Sequence, residues 1–420
     1  MGETAGQVSP DRPGGLLVVP FVVASLLQLR ATLPVLTARR PPLGVDAWVF
    51  EYAGLISLQG SLPYVHIWDV KPPLTYATAS GLAALAGGDP LVTHQLNVLV
   101  MGGLLVGVVT LASLLTYELT DDRTAGVVSG LAVPTFSLFY TFPAYGLRPK
   151  MYVMFFGLLG VYLCYRRRPF WSGLSAAAAA GYWQLGIVFP LLVVGLTVQH
   201  SRQRDLGRVV AGMVTVTALA VAPYVLAGEV TALLNQVVFA QLFASESGTV
   251  LHRTLRARNM LGRASLFGAL GCLGVVWAAL RSRETWWVAA GTGLYLVQIL
   301  ELDLDGPPDL LPLYLFLAVG VGLLVSQASE TDFGYDGVPA VIAGVVVVAA
   351  VGLILGDLWA LRGVEIVQYS APQDLSDLYW QAEIAESCHL RMSHTEEVYL
   401  ETIGAERSSA CGQTPSWKYL

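Results

Sequence analysis

Long apolar runs separated by short polar stretches dominate this chain. The first run extends from about Leu16 to Leu36, and further runs are centred near residues 104, 133, 157, 178, 192, 218, 271, 293, 318 and 348. Runs of about 18 or more apolar residues form helices long enough to cross a bilayer, so the pattern predicts an all-α polytopic membrane protein with about 11 spans. The runs around Ala176–Ala180 and Leu185–Val198 lie close together and make the count least defined there. Residues 1–14 are polar, contain Pro10 and Pro13, and lack the basic start and cleavage site of a signal peptide. They are expected to be a disordered cytoplasmic N-terminus, followed by a membrane domain over 15–358 and a polar C-terminal segment over 359–420.

Arginine placement gives the orientation. The short loops with Arg166-Arg167-Arg168, with Arg202, Arg204 and Arg208, and with Arg281 and Arg283 are all basic, and short basic loops stay on the cytoplasmic side. With 11 spans and the N-terminus inside, all three fall inside. Residues 37–91, 143–150, 228–262 and 301–310 then face outward, as does the C-terminal segment. That segment is expected to be a small extracytoplasmic cap. Its Cys388 and Cys411 would close a disulfide there, or remain free thiols if the topology is reversed.

Composition agrees with a membrane chain. It is 55% hydrophobic and 13% charged, with mean hydropathy +0.60, whereas soluble domains carry about 25% charge. The net charge of −6 points to no nucleic-acid partner. Lysine is confined to Lys71, Lys150 and Lys418, so 21 of the 24 basic residues are arginines; this usage suggests a high-GC, salt-adapted source.

The first outer loop concentrates the candidate chemistry. From Val45, apolar residues recur at helical spacing through Trp48, Val49, Tyr52, Leu55 and Ile56. The stretch is too short and polar to span, which predicts an amphipathic helix lying on the membrane surface. Asp46 opens it, where a carboxylate also suits the helix dipole. Glu51 lies about 140° around the helix from Asp46, so the two are not a close pair. Gly60-Ser61-Leu62-Pro63-Tyr64, His66, Asp69 and Lys71-Pro72-Pro73 follow, and the prolines fix the backbone beside Lys71. Taken singly, Asp46 reads as an N-cap and Lys71 as an interfacial lysine.

Together, the acid, the amphipathic helix, the Gly-x-x-Pro-Tyr and the Lys-Pro-Pro resemble the dolichyl-phosphate-mannose protein mannosyltransferase superfamily and its relative, the aminoarabinose transferase of lipid A. The likeness is specific over about residues 44–77 and continues as span layout to about 320. It implies a GT-C fold and a glycosyltransferase that moves a hexose, most plausibly mannose, from a dolichyl or polyprenyl phosphate to a hydroxyl of a glycan or glycoprotein at the outer face. It implies Asp46 as the general base and Lys71 on the donor phosphate, with inversion at the anomeric carbon. Family members often carry a second acid near the end of the third span; here that region reads Tyr145-Gly146-Leu147-Arg148-Pro149-Lys150, and Arg148 and Lys150 are candidates to extend the phosphate site.

Other candidates rest on residue chemistry. Arg253, Arg256, Arg258 and Arg263 in an outer stretch form either a second phosphate clamp or a loop facing solvent and lipid headgroups. Glu51, Tyr64, His66 and Asp69 are possible support residues. Asp46, His66 and Asp69 are possible ligands of a divalent metal, though their spacing is not diagnostic and no cofactor is certain. The acidic stretch Glu301, Asp303, Asp305 and Asp309 reads as solvated, with acceptor binding as the lesser alternative. Three other functions compete: a carrier or flippase for a lipid-linked sugar, a non-catalytic subunit, and an oligosaccharide ligase using a lipid diphosphate. A carrier would place charges near the membrane midplane, whereas these charges crowd the outer loops.

Overall fold

The computed structural model describes residues 15–37, 45–200, 203–240, 249–302, 304, 306–331 and 337–360. The expected N-terminal tail, Cys388, Cys411 and nearly all of the expected C-terminal cap lie outside the described residues. Among those described, the regular structure is helical, with one isolated bridge between Pro63 and Ile67. In chain order the α-helices are α1 (Val18–Thr37), α2 (Val45–Ser57), α3 (Pro73–Leu85), α4 (Pro90–Thr120), α5 (Arg123–Ala132), α6 (Leu138–Thr141), α7 (Pro149–Tyr165) and α8 (Pro169–Tyr182). There follow α9 (Val188–Gln199), α10 (Gln203–Ala227), α11 (Val230–Leu234), α12 (Val250–Leu261), α13 (Ser265–Arg281), α14 (Trp286–Val297), α15 (Leu311–Glu330) and α16 (Val338–Ala360).

Each predicted apolar run is helical, but the helices differ in length. Among the described residues, six stretches are long and apolar enough to cross a membrane: Val18–Thr37, Pro90–Thr120, Arg204–Ala227, Val250–Arg281, Pro307–Glu330 and Val338–Trp359. A pair bent by 72°, Arg123–Thr135 with Leu138–Tyr145, makes a seventh if it counts as one span. The chain is therefore a multi-pass membrane protein. The apolar runs near 157, 178, 192 and 293 form shorter helices. A 17-residue helix such as α7 is only about 25 Å long, less than the roughly 30 Å hydrocarbon core.

Local chemistry explains where the elements start and stop. Asp89 caps α4 by accepting from the Val92 N–H at 2.9 Å, with Pro90 in the first turn. Asp121 ends α4 in the left-handed region, and Asp122 caps α5 by accepting from the Thr124 and Ala125 N–H groups. α15 is the central helix, with 94% of its span window buried, whereas α10 and α16 are 17% and 22% buried and turn apolar faces outward. α13 meets α15 almost backbone to backbone at Gly271–Leu317 and Gly274–Gly320, the close approach that small residues permit in membrane bundles.

Candidate active site

α2 and α3 bring the first-loop residues to one end of the bundle. Phe50 packs against Tyr76 at 6.3 Å between ring centroids. One turn later, Gly54 lies so near the Ala79 backbone that a Cβ would stand 2.5 Å from the Ala79 carbonyl carbon. The partners advance together, so the two helices run side by side in the same direction. Asp46, in the first turn of α2, and Lys71, just before α3, therefore lie at the same end of the pair.

The turn carrying Lys71 is held from several sides. Asp69 Oδ1 accepts from the Val70 and Lys71 N–H groups at 2.5 and 3.1 Å, and Oδ2 accepts from the Tyr76 hydroxyl. The Tyr64 hydroxyl donates to the Lys71 carbonyl at 2.5 Å. The Gln236 side chain bridges the Asp69 N–H and the Tyr64 carbonyl at 3.1 and 2.6 Å, and Gln184 donates to the Val70 carbonyl. These bonds hold Tyr64 in the left-handed region at φ 67°. At about 1 kcal/mol net each, they are enough to fix the turn. Burial pushes the Asp69 carboxyl above the usual range, against the pull of Lys71 and its hydrogen bonds. Among the described residues the Lys71 ammonium makes no hydrogen bond or ion pair.

Asp46 meets a cation from a distant part of the chain. Arg148 Nη1 lies 3.0 Å from Asp46 Oδ2; the Arg148 side chain is 8% exposed and that of Asp46 is 70% exposed. Arg148 also covers the Phe142 ring at 4.0 Å. Two residues beyond, Lys150 forms an ion pair with Asp309, and its ammonium sits 4.7 Å from the centre of the Trp183 ring. Asp309 also accepts from the Gly306 N–H at 2.8 Å, and Lys71 acts electrostatically on the same carboxylate. The acidic stretch 301–310 thus contributes a buried partner at Asp309, where solvation was expected.

The remaining candidates divide between framework and surface. Glu51 is buried, bonded to His94 and to the Leu147 N–H. His66 is exposed, and its Nδ1 faces the Leu62 backbone within its own turn. Arg253 is buried in α12, while Arg256 and Arg258 are exposed on it. α12 packs on the segment carrying Asp309, which places Arg253 on a helix next to the Lys150 pair. Asp46, His66 and Asp69 are not gathered as metal ligands: no group of three such side chains occurs among the described residues. His66 and Asp69 are instead occupied by local hydrogen bonds. Gln184 and Gln236 escaped the sequence reading, and Asp309 was read there only as part of a solvated acidic stretch. The signal for Asp309 was an acid after Pro307-Pro308 in the same outer set as Lys150; the two glutamines sit in apolar helices and gave none.

This geometry has relatives. A family model described as DolP-mannose mannosyltransferase matches residues 60–222. A dolichol phosphate-mannose mannosyltransferase of Haloferax volcanii is 30% identical over 393 residues, covering 92% of this chain and 84% of the relative. Among solved structures, ArnT from Cupriavidus metallidurans in the apo state superposes with a TM-score of 0.58 at 16% identity, over 92% of this chain and 84% of that one. The oligosaccharyltransferase of Archaeoglobus fulgidus superposes with a TM-score of 0.55 at 11% identity, over 97% of this chain and 59% of that one. Those two likenesses establish a shared fold, and the first-loop residues and the Haloferax relative together establish kinship: the chain belongs to the dolichol phosphate-mannose mannosyltransferase family.

Proposed function

We propose that this protein transfers mannose from a dolichyl or polyprenyl phosphate to a hydroxyl of a glycan or glycoprotein acceptor. The observation that carries the reading is the placement, at one end of α2 and α3, of an exposed Asp46 carboxylate and of the Lys71 ammonium, which among the described residues forms no ion pair. Asp46 takes the proton from the acceptor hydroxyl as its oxygen attacks the anomeric carbon. The bond from that carbon to the phosphate oxygen breaks, and the lipid phosphate leaves with the electron pair. Attack opposite the leaving group inverts the anomeric centre. Lys71 meets the charge that builds on the phosphate, and a preplaced cation lowers such a barrier. Arg256 and Arg258 extend the positive surface for the donor headgroup, and Arg253 adds positive charge from its buried position on the same helix. Arg148 and Lys150 contribute to the same mouth through their ion pairs.

The reading places the site at the outer face of the cell membrane, with the N-terminus cytoplasmic and the C-terminal segment outside. α7 supports it: the helix starts at the site with Lys150 and ends against Arg166-Arg167-Arg168, a basic loop of the cytoplasmic kind. In this arrangement the shorter apolar helices also cross, within a locally thinned bilayer and with flanking charged residues reaching the interface, for about 11 spans in total.

The test is transfer from radiolabelled polyprenyl-phosphate mannose in membranes, comparing the native chain with Asp46→Asn at matched expression. Transfer by the native chain and its loss in the variant support the proposal. Equal transfer by both would leave Asp46 as a first-turn carboxylate that pairs with Arg148 and suits the helix dipole.

A further inference from the structure

On the buried side of α2, about 140° around the helix from Asp46, lies a couple to which the transfer chemistry assigns no part. Glu51 is 2% exposed and His94 wholly buried, and His94 Nδ1 stands 2.9 Å from Glu51 Oε2. A carboxylate only accepts, so the ring N–H donates. The other oxygen, Oε1, accepts from the Leu147 N–H at 3.1 Å. Leu147 immediately precedes Arg148, the residue that grips Asp46.

Gly146 fits the same couple. Its φ is +101°, which disfavours any side chain. A Cβ there would stand 2.3 Å from Glu51 Oε1, 3.0 Å from the Ala47 Cβ and 3.1 Å from His94 Cε1. The 146–148 turn is therefore pressed onto the carboxylate, the imidazole and the residue next to Asp46. Glu51 makes its hydrogen bond one residue before the guanidinium, so the position of the acid sets the position of the cation.

We propose that the Glu51–His94 couple is a positioning device for the reaction centre. It fixes the 146–148 turn and so holds the Arg148 guanidinium on Asp46, orienting the carboxylate toward the acceptor. The proposal rests on Asp46 as the reacting acid, but the contact it concerns is readable without donor or acceptor. A burial role alone would be served by any side chain that fills the space. A positioning role needs an acceptor for the Leu147 N–H and no Cβ at residue 146.

The experiment is carboxyl labelling of Asp46 in the purified full chain, with a carbodiimide and glycine ethyl ester, followed by peptide mass spectrometry. A carboxylate released from its guanidinium partner is freer to react. Arg148→Gln sets the released rate, which should exceed the native rate by about threefold or more, because charge-assisted pairs are the strong ones. Glu51→Leu and Gly146→Ala should approach that rate. Glu51→Gln, which keeps an oxygen for the Leu147 N–H, should stay near the native rate. Adding Glu51→Leu to Arg148→Gln should give no further rise, since changes acting through one contact are not additive. If Glu51→Leu does not yield folded protein, Gly146→Ala carries the same reading. Native rates in both Glu51→Leu and Gly146→Ala, or an additive rise in the double variant, would overturn the proposal. Failure of mannose transfer by the native chain would instead overturn the assigned reaction and leave the labelling result standing.

Discussion

Two ion pairs flank Pro149, and they differ in which partner meets solvent. In Arg148–Asp46 the cation is buried and the acid is 70% exposed; in Lys150–Asp309 the acid is 5% exposed and the cation 16%. Both cations come from one short stretch at the start of α7. The first pair leaves a carboxylate oriented yet open to a reactant, which suits a base. The second encloses both charges, so its main effect falls on the fold, because breaking a buried pair strands a charge away from water. Adjacent residues of one sign thus serve opposite ends.

The largest way to break this contrast is to remove the open acid. Asp46→Asn should lower mannose transfer by about 100- to 10,000-fold, the range for losing a positioned base, with a smaller fall in thermal midpoint in detergent than the closed pair gives, because asparagine keeps an oxygen for the Arg148 guanidinium. The closed pair should respond in the opposite sense. Lys150→Met should destabilise the chain by roughly 3–5 kcal/mol by stranding Asp309, read as a large fall in thermal midpoint, and Lys150→Met with Asp309→Leu should recover much of that loss. Should Lys150→Met leave the midpoint untouched while abolishing transfer, the two pairs are not different in kind.

Lys71 stands between these cases: among the described residues its ammonium forms no ion pair, though it acts electrostatically on Asp69 and Asp309. Lys71→Ala should raise the donor KM by about tenfold, in line with one lost charged hydrogen bond, and Lys71→Arg should restore part of it. An unchanged KM would move the phosphate contact to α12. The smallest effect concerns the turn beneath Lys71. Asp69 holds its proton to higher pH in the folded chain than in the unfolded one. Its contribution to stability is therefore complete below the unfolded value near pH 4 and is lost as pH rises through the folded value. Asp69→Asn should flatten that slope in a series of thermal midpoints against pH.

Much of this architecture was legible because it is local. The apolar runs mark the helices, and Asp46 and Lys71 stand out because acid, helix and Lys-Pro-Pro are consecutive. The angle between Asp46 and Glu51 already separated them, and Glu51 indeed points into the bundle. Pairs made by topology were not legible. Asp46 meets Arg148 across 102 residues and Lys150 meets Asp309 across 159, and no spacing rule relates positions so far apart. Span boundaries were least legible where two apolar runs lie close together: between α8 and α9 the chain leaves the α-helical path at Trp183 and then makes a 3-10 turn. His66 stayed among the possible ligands in the sequence because its partner, the Leu62 backbone, has no sequence signature.

The seam at Gly54 and Ala79 also makes a ruler. Because α2 and α3 touch backbone to backbone there, their relative placement does not depend on the contour length of the chain joining them. Gln59 and Gly60 lie on the surface of that connection, and a Cβ at Gly60 would meet nothing within 4 Å. An inserted epitope or a protease site at this bend should leave the carboxylate and the ammonium in register, giving a handle for tethering the enzyme to a surface or for reporting which side of a vesicle it faces.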